Sequence, residues 1–364
     1  MKTTWNELWK RSVPSERDLM LSVYTIEQSE QWDAVVHSFA DYDTYWLSGY
    51  VKAFQLHGDG EPLLLHYDNG AVKGINVVMK RDIAKDAHFV GRLPENTYFD
   101  LSTPYGYGGW LIEGEGKAEI FEAYEKWCID NDIISEFVRF HPVIGNHVLA
   151  EKAYDIIPLG LTVSMDLSSP DKIWENITSK NRNMIRKAQK NGVCVRTGRS
   201  SEIYRIFREI YNETMDKDNA IAYYYFDEAF YDSILQDLPH NAQVFYAVYE
   251  NKIIAASIML AANGKMNYHL SGSLREYANL APTNLILYEA ALWGCANGCK
   301  SLYLGGGVGS GEDGLFKFKK SFYRGEDLPR FHIGKKVLNN EKYEMLVGMR
   351  NDLPESGFFP KYRA

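Results

Sequence analysis

The stretch MNYHLSGSLREYANLAPTNLILYEAALWGCANGCKSLYL, residues 266–304, predicts a strand, a helix and a second strand in that order. Pro282 lies where a helix can begin, because the first helical turn has no use for the N–H that proline lacks. Gly298 is a typical residue just beyond a helix end. The short apolar run SLYL, residues 301–304, then predicts a buried strand.

Two further strands are predicted before this stretch, at residues 243–249 and 253–261. Asn263 and Gly264 form the turn that leads from them into the strand at 266. The segment from 243 to 304 therefore predicts one unit of antiparallel strands, followed by a helix and a last strand.

The first half of the chain repeats this order. Asn69 and Gly70 separate two segments rich in strand formers, and Asn-Gly readily adopts the backbone of a tight hairpin turn. A helix-like segment at 117–131 follows, and then the strand-like SEFVRF, which ends at Phe140. The repetition predicts a mixed α/β fold of two similar units, with mainly antiparallel sheets flanked by helices and a gap between splayed strands in each unit.

The repeat also predicts where the units divide. Ser169 with Pro170, and Ser179 ten residues later, are helix starts, so a helix pair is expected to open the second unit. We expect an N-terminal domain at 1–168, a C-terminal domain at 169–340, and a C-terminal helix with a docked tail at 341–364.

Composition excludes several classes of protein. The 364 residues carry a net charge of −8, which argues against a surface devoted to nucleic acid, so no DNA partner is expected. The start, MKTTWNELWKR, has no apolar run for export, and no segment is long and apolar enough to span a bilayer. His and Cys are not clustered at zinc spacing, so we expect no metal. A cytoplasmic protein is predicted, with any membrane contact peripheral and at the inner face.

One predicted helix, which begins after Ser179, is crowded with cations. Arg182 and Arg186 are like charges four residues apart, and Lys180 opposes the helix dipole at its start, so an anion would relieve local repulsion. The helix N-terminus and these cations predict a phosphate or carboxylate site. The alternative is a solvated basic face that pairs with some of the chain's 48 acidic residues.

A glycine-rich segment, GGGVGSGEDGLFKFKKSF at 305–322, directly follows the strand at 301–304. Its match to G-x-G-x-x-G is weak, because the first glycine of the match lies several residues past the strand and no ribose-binding acid follows at the usual distance. We expect a loop and a short helix that turns its phenylalanines inward and its lysines outward. These are Phe316, Phe318 and Phe322, and Lys317, Lys319 and Lys320.

Taken in order, several segments resemble the FemAB-like group of the GNAT acyltransferase superfamily, a tandem GNAT-like group that includes peptidoglycan-bridge aminoacyltransferases. In the second half they are KNRNMIRKAQKNG at 180–192, YHLSGS at 268–273, LGGG at 304–307 and FKKSF at 318–322. In the first half, TPYGYGG at 103–109 and SEFVRFHP at 135–142 fit the N-terminal unit of those proteins.

The resemblance implies an acyltransferase. It would move an acyl or aminoacyl group from a thioester or ester donor, acyl-CoA or aminoacyl-tRNA, directly to an amine. The acceptor would be an anionic, amine-bearing small molecule or a cell-wall precursor, and tRNA would be a further partner. Two departures stand out. LREYANLAPTN at 274–284 replaces the usual pyrophosphate loop, and 197–227 is too short for the coiled-coil insertion of some members.

The resemblance and the residue chemistry together give a set of candidate site residues. His269, as general base, and Lys319, which would neutralise substrate charge, are the catalytic candidates; Tyr268 and Tyr303 are weaker alternatives for the base. The substrate-binding candidates are Lys180, Arg182, Arg186, Tyr268, Tyr303, Gly305 and Gly306. Two alternative functions stay open: a simple N-acetyl or fatty-acyl transferase to a small amine, and a catalytically silent pair of units that binds an anionic ligand.

Overall fold

The computed structural model describes residues 20–364, and the first residues, including MKTTWNELWKR, lie outside this range. Its strands are β1 Leu21–Tyr24, β2 Glu61–Asp68, β3 Val72–Asp82, β4 Phe99–Ser102, β5 Leu111–Gly114, β6 Ile133–Arg139, β7 Asp155–Leu161, β8 Val163–Asp166, β9 Cys194–Gly198, β10 Ala242–Tyr249, β11 Lys252–Ala262, β12 Lys265–Ser273, β13 Ser301–Gly305 and β14 Arg330–Val337. Its helices are α1 Ser29–His37, α2 Ser48–His57, α3 Lys117–Asp130, α4 His147–Ala150, α5 Pro170–Asn176, α6 Ser179–Lys190, α7 Ser201–Lys217, α8 Glu228–Asp237, α9 Pro282–Ala296, α10 Gly314–Lys320 and α11 Asn340–Gly348.

The strands form two sheets. The first has the order β1-β2-β3-β4-β6-β14-β7, with β5 also paired to β3, and the second has the order β8-β13-β12-β11-β10-β9. Pairing is mainly antiparallel, and the parallel strand pairs are β4 with β6 and β12 with β13. In each half of the chain, a hairpin is followed by a third antiparallel strand, then by a helix, and then by a strand that pairs in parallel with the third. The predicted mixed α/β fold with antiparallel-dominated sheets is therefore confirmed. Below, the two sheets with their helices are called the first and second units.

The predicted boundary at residue 168 does not coincide with the division between the sheets. β8 precedes this boundary but pairs with β13 in the second sheet, and β14 follows the second unit but lies between β6 and β7 in the first. Only Thr162 separates β7 from β8, so the chain passes from one sheet to the other there. Which sheet a strand joins depends on tertiary contacts, so the sequence did not show the pairing of these two strands.

The tail after α11 lies against the first sheet. The buried Tyr362 hydroxyl donates to Asp100 at 3.0 Å, and the Arg363 Nε donates to the same carboxylate at 2.5 Å. Arg363 and Arg81 hold the pKa of the buried Asp100 below its usual range, although burial opposes this. The predicted tail is thus fixed to the first unit by charged hydrogen bonds.

A shared core joins the two units. Side chains of α2, such as Phe54, pack in one buried cluster with side chains of α8 and β11, such as Phe230 and Ile258. Because this cluster draws on both halves of the chain, the units are held together by apolar packing as well as by the crossed strands. A cleft remains on one side of this junction.

Within residues 20–364, no helix is long and apolar enough to cross a membrane. The same range contains no group of three or more His, Cys, Asp or Glu side chains placed to hold a metal ion.

Candidate active-site cleft

The cleft begins where two parallel strands separate. β12 pairs with β13 only from Lys265 to Asn267, and β12 then continues to Ser273 without a partner strand on that side. On its other side the register with β11 shifts by one residue, so His269 is the extra residue of a bulge. The second unit therefore has the predicted gap between splayed strands.

The corresponding gap expected in the first unit is closed. After β4, the segment 103–110 continues along the end of β6, where Thr103 N donates to Phe137 O at 3.1 Å and Gly108 N donates to Arg139 O at 2.8 Å. These backbone bonds use the groups that a splayed pair would expose. Only the second unit presents an open strand edge to the cleft.

The cleft has a volume of about 1090 Å³ and is lined by both units. The first unit contributes Tyr105, Tyr107 and Arg139; the second contributes β12 from Tyr268 to Ser273, the start of α9, the glycine loop 306–310 and Lys319. Its charged lining residues are Arg139, Lys217, Asp218, Arg275 and Lys319, four basic and one acidic. In a chain of net charge −8, this local excess of positive charge favours an anionic ligand.

Lys319 lies inside the protein rather than on its surface, contrary to the prediction. The side chain is 9% exposed, and its Nζ donates to Gly306 O at 2.8 Å. Among residues 20–364 it has no carboxylate within ion-pair distance. Burial lowers the pKa of Lys319 to about 8, an effect that Asp313 partly offsets. Lys319 is therefore a buried cation beside the cleft, and its ammonium group can donate further hydrogen bonds.

The glycine loop is shaped to admit this lysine. Gly305 has φ +82°, and a Cβ there would lie 3.3 Å from the Lys319 Nζ, so the lysine passes close to bare backbone. Asp313 holds the two ends of the loop by accepting from Val308 N at 3.1 Å and from Phe316 N at 2.8 Å. Gly306 lines the cleft and Gly305 directly precedes it, and the substrate-binding role of both stays a prediction.

His269 lines the cleft, but its chemistry differs from the prediction. Its ring packs against Tyr50, Phe54 and Tyr105 with centroid distances of 5.6, 6.3 and 5.8 Å, and its buried Nε2 has no hydrogen-bond partner. Burial lowers the pKa of His269 to about 3. An imidazole with this pKa is a weak base at neutral pH, so the expectation of a pKa near the working pH is wrong.

The two tyrosine alternatives are no better as bases. Burial raises the pKa of Tyr268 and raises that of Tyr303 well above its ordinary value, so both stay protonated at neutral pH. Tyr268 lines the cleft, whereas the buried Tyr303 donates its hydroxyl proton to Tyr107 of the first unit at 2.8 Å. Both can donate hydrogen bonds, and neither can take a proton.

The basic helix α6 lies beside the cleft, not in it. Arg182 and Arg186 place their guanidinium carbons 5.7 and 5.0 Å from the Trp174 ring centroid, and Lys180 is exposed. Its buried Asn181 accepts from Asn284 at 2.8 Å, and Asn284 lines the cleft at the start of α9. The helix therefore supports a cleft wall, and none of the three predicted cations lines the cavity.

The contribution of the first unit to the cleft was not predicted. Arg139 lies in the segment SEFVRFHP, and Tyr105 and Tyr107 lie in TPYGYGG, but none of the three was a candidate site residue. The sequence feature that could have indicated a site here is a cation at the end of a predicted strand, near a loop with three glycines. The partners that turn these side chains toward the cleft are distant in sequence.

Part of the second unit matches a known protein family. Residues 178–320 match the family model of the acetyltransferase (GNAT) domain. No curated protein matches the chain in sequence. Most of the second-unit residues that line the cleft, in β12, α9 and the glycine loop, lie within the matched range.

Solved structures with a similar fold cover most of the chain. The crystal structure of FemX is similar at a TM-score of 0.65 and 14% identity, covering 89% of this chain and 99% of FemX. A conserved protein from Bacteroides thetaiotaomicron is similar at 0.56 and 9%, covering 86% and 98%. A C-terminal domain assigned to a lysylphosphatidylglycerol synthetase of Agrobacterium fabrum is similar at 0.52 and 12%, covering 87% and 92%. The predicted resemblance to the FemAB-like branch is thus confirmed at the level of fold.

Proposed function

We propose that this protein transfers an acyl or aminoacyl group from a thioester or ester donor to an amine of an anionic acceptor. The proposal rests on the cleft at the splayed strands of the part of the chain that matches the GNAT domain. Of the charged side chains that line this cleft, four are basic and one is acidic. The FemAB-like resemblance favours a cell-wall precursor as acceptor, with aminoacyl-tRNA or acyl-CoA as donor.

The chemistry requires little from side chains. The acceptor nitrogen attacks the donor carbonyl carbon, a C–N bond forms, and negative charge develops on the carbonyl oxygen. Collapse of this intermediate breaks the bond to the thioester sulfur or ester oxygen, and the amine proton leaves to the departing group or to water. Backbone N–H groups of the open edge of β12 would stabilise the oxyanion, and Lys319 would neutralise substrate charge.

The weak basicity of the three candidate side chains fits this scheme. His269, with a pKa of about 3, and the protonated Tyr268 and Tyr303 leave proton removal to the leaving group or solvent. His269 then contributes shape and a neutral surface that keeps water away from the reacting carbonyl.

Transfer itself is the direct test. The full chain is incubated with UDP-linked muropeptides or small amines, and separately with aminoacyl-tRNAs or acyl-CoAs, and acceptor masses are measured. We expect one acyl or aminoacyl increment on an anionic acceptor. An increment confined to small neutral amines would favour the simple N-acyltransferase, and ligand stabilisation without any transfer would favour the silent pair of units.

We predict that anion affinity falls as pH rises through about 8. Below this pH Lys319 is charged, and above it the ammonium loses its proton, so a bound anion loses its partner. Sulfate keeps one charge state from pH 7 to 10 and is the probe for calorimetric titration. Lys319→Arg should abolish the decline, because a guanidinium stays charged throughout. The same decline in the arginine variant would contradict the assignment.

The anion site expected at the start of α6 stays a separate prediction. Arg182→Ala with Arg186→Ala should reduce the salt dependence of binding to deacylated tRNA by about two units of logarithmic slope, if both cations contact phosphates. Lys187→Ala with Lys190→Ala, at the far end of the same helix, is the control of equal charge. Equal slopes for the two double variants would make α6 a solvated basic face.

A further inference from the structure

The glycine loop of the second unit packs directly on a strand of the first unit. Gly160 is the last residue but one of β7, and the backbone of Ser310 lies over it. A Cβ at Gly160 would lie 2.0 Å from Ser310 O and 2.8 Å from Ser310 C, whereas real Cβ atoms essentially never come closer than 3.0 Å to such atoms. The backbone of Gly160 is outside the left-handed region, so glycine is needed here for space and not for conformation.

The contact extends to the point where the chain crosses between the sheets. A Cβ at Gly306 would lie 3.1 Å from Leu161 O and 3.5 Å from Thr162 Cγ2, so the beginning of the loop also lies against this segment. Thr162 is fixed in turn, because its backbone N and its Oγ1 both donate to Pro329 O at 2.8 Å. Residues 160–162, here called the seat, therefore form an anchored surface under the glycine loop, and all three line the cleft.

The middle of the loop has a conformation that needs support from outside the loop. Ser310 has φ +65°, in the left-handed region that is unfavourable for a residue with a Cβ, and Gly309 before it has φ +59°. Such a conformation persists where surrounding contacts hold it. The contact that Ser310 makes is with Gly160, because its own carbonyl lies over that glycine. The position of the loop therefore depends on the seat as well as on Asp313, which holds the two ends of the loop.

The loop in turn fixes Lys319, because Gly306 O accepts from the Lys319 Nζ at 2.8 Å. We propose that Gly160 is a positioning residue for Lys319. Since Gly160 has no side chain, the glycine loop can lie on the first unit, and the Gly306 carbonyl then holds the ammonium group at the cleft. This inference rests on the proposed function for its effect on transfer, but not for the position of the ammonium group itself.

Gly160→Ala tests the proposal without any transfer reaction. The added methyl group must displace the Ser310 backbone by about 1 Å, since β7 is held by its pairing with β14 and the loop is exposed. Lys319 would then lose its carbonyl partner and part of its burial, so its pKa should rise from about 8 to about 9 or higher. Asp313, the other group that acts on this pKa, already raises it in the wild type.

The pKa of Lys319 is measured by NMR titration of the full chain labelled with carbon-13 at the lysine Cε atoms. The signal of Lys319 is the one that disappears in Lys319→Arg. Melting temperatures of the variants show whether each of them is folded.

Gly49→Ala is the matched control. Gly49 lies in α2, where a Cβ would be 2.3 Å from Asp237 O at the end of α8, so this substitution also forces apart two backbones that meet between the units. Neither Gly49 nor Asp237 lines the cleft. Both alanine variants should lower the melting temperature, because each adds a methyl group where there is no space. Only Gly160→Ala should change the pKa of Lys319.

A milder variant covers the case in which Gly160→Ala does not fold. In Gly306→Ala the added Cβ lies 3.1 Å from Leu161 O, so a displacement of a few tenths of an ångström relieves the contact. The pKa of Lys319 should rise here too, but by less than in Gly160→Ala. The proposal is overturned by an unchanged pKa in a folded Gly160→Ala, or by equal changes in Gly160→Ala and Gly49→Ala. If Gly160→Ala does not fold, an unchanged pKa in Gly306→Ala overturns it.

Transfer kinetics separate this inference from the proposed function. With a donor and acceptor in hand, a folded Gly160→Ala should lower kcat by about tenfold to hundredfold, as a displacement of about 1 Å at an active site can, and Gly49→Ala should lower it much less. A wild-type kcat in Gly160→Ala would contradict a positioning role in transfer. If the pKa of Lys319 rises in Gly160→Ala but no transfer is observed with any donor, the positioning of Lys319 stands and the proposed function fails.

Discussion

Lys319→Ala is expected to lower the transfer rate at least about hundredfold while leaving the melting temperature close to that of the wild type. The loss reflects removal of a fixed cation from a water-poor site, where single electrostatic contacts are worth about 10²- to 10³-fold in rate. Stability should change little, because the lysine has no ion pair and binds one carbonyl oxygen. Burial lowers its pKa, so the folded state loses stability as pH falls from about 10.5 to about 8, and alanine removes that cost.

Lys317→Ala is the control for this experiment, because Lys317 is exposed on the same helix two residues away. Phe322→Ala is the opposite control. Its fully buried ring should cost about 3–5 kcal/mol of stability when truncated. Transfer rate and melting temperature are measured for all three variants with one donor and acceptor. Full activity in Lys319→Ala would show that the lysine takes no part in transfer.

The helical spacing in α10 favours a buried Lys319, but the residue type led to the opposite prediction. Phe316 and Lys319 are three residues apart in α10 and so share a helical face, whereas Phe318 lies on another face. Phe316 is buried and Phe318 only partly so. The prediction placed every phenylalanine inward and every lysine outward, although the helical period favours Lys319 over Phe318.

Properties created by distant residues could not be predicted. The low pKa of His269 arises in a pocket that includes Tyr50, Phe54 and Tyr105, all more than 160 residues away in sequence. The orientation of Arg139 depends on Phe331 in the same way. Hairpins and the helix and strand order depend on local patterns, and these were predicted correctly. Which edge a strand joins, and which groups share a cavity, depend on tertiary contacts.

A buried polar cluster at the junction of the units gives the second large prediction. The Asp43 carboxylate is fully buried and accepts from His141 Nε2 at 3.0 Å, from Asn267 Nδ2 at 2.9 and 3.1 Å, and from Thr44 N at 2.6 Å. His141 Nδ1 accepts from Ile144 N at 3.2 Å, which fixes the ring proton on Nε2. Asn267 is the last residue of β12 that pairs with β13, so the first unit holds the strand where the splay begins.

Asp43→Ala should lower the free energy of unfolding by about 3–5 kcal/mol, since it leaves buried donors of both units without an acceptor. Asp43→Asn should cost less, because one acceptor oxygen remains.

Asp41→Ala is the matched control: this carboxylate is 59% exposed and pairs with Lys265, also across the junction, so its removal should cost no more than about 1 kcal/mol. Denaturant unfolding of the three variants measures the difference, and sulfate affinity at pH 7 reports on the cleft. Because Asn267 is held at the point of splay, a folded Asp43→Ala protein should also bind sulfate more weakly than Asp41→Ala. Equal unfolding free energies for Asp43→Ala and Asp41→Ala would show that apolar packing alone fixes the two units around the cleft.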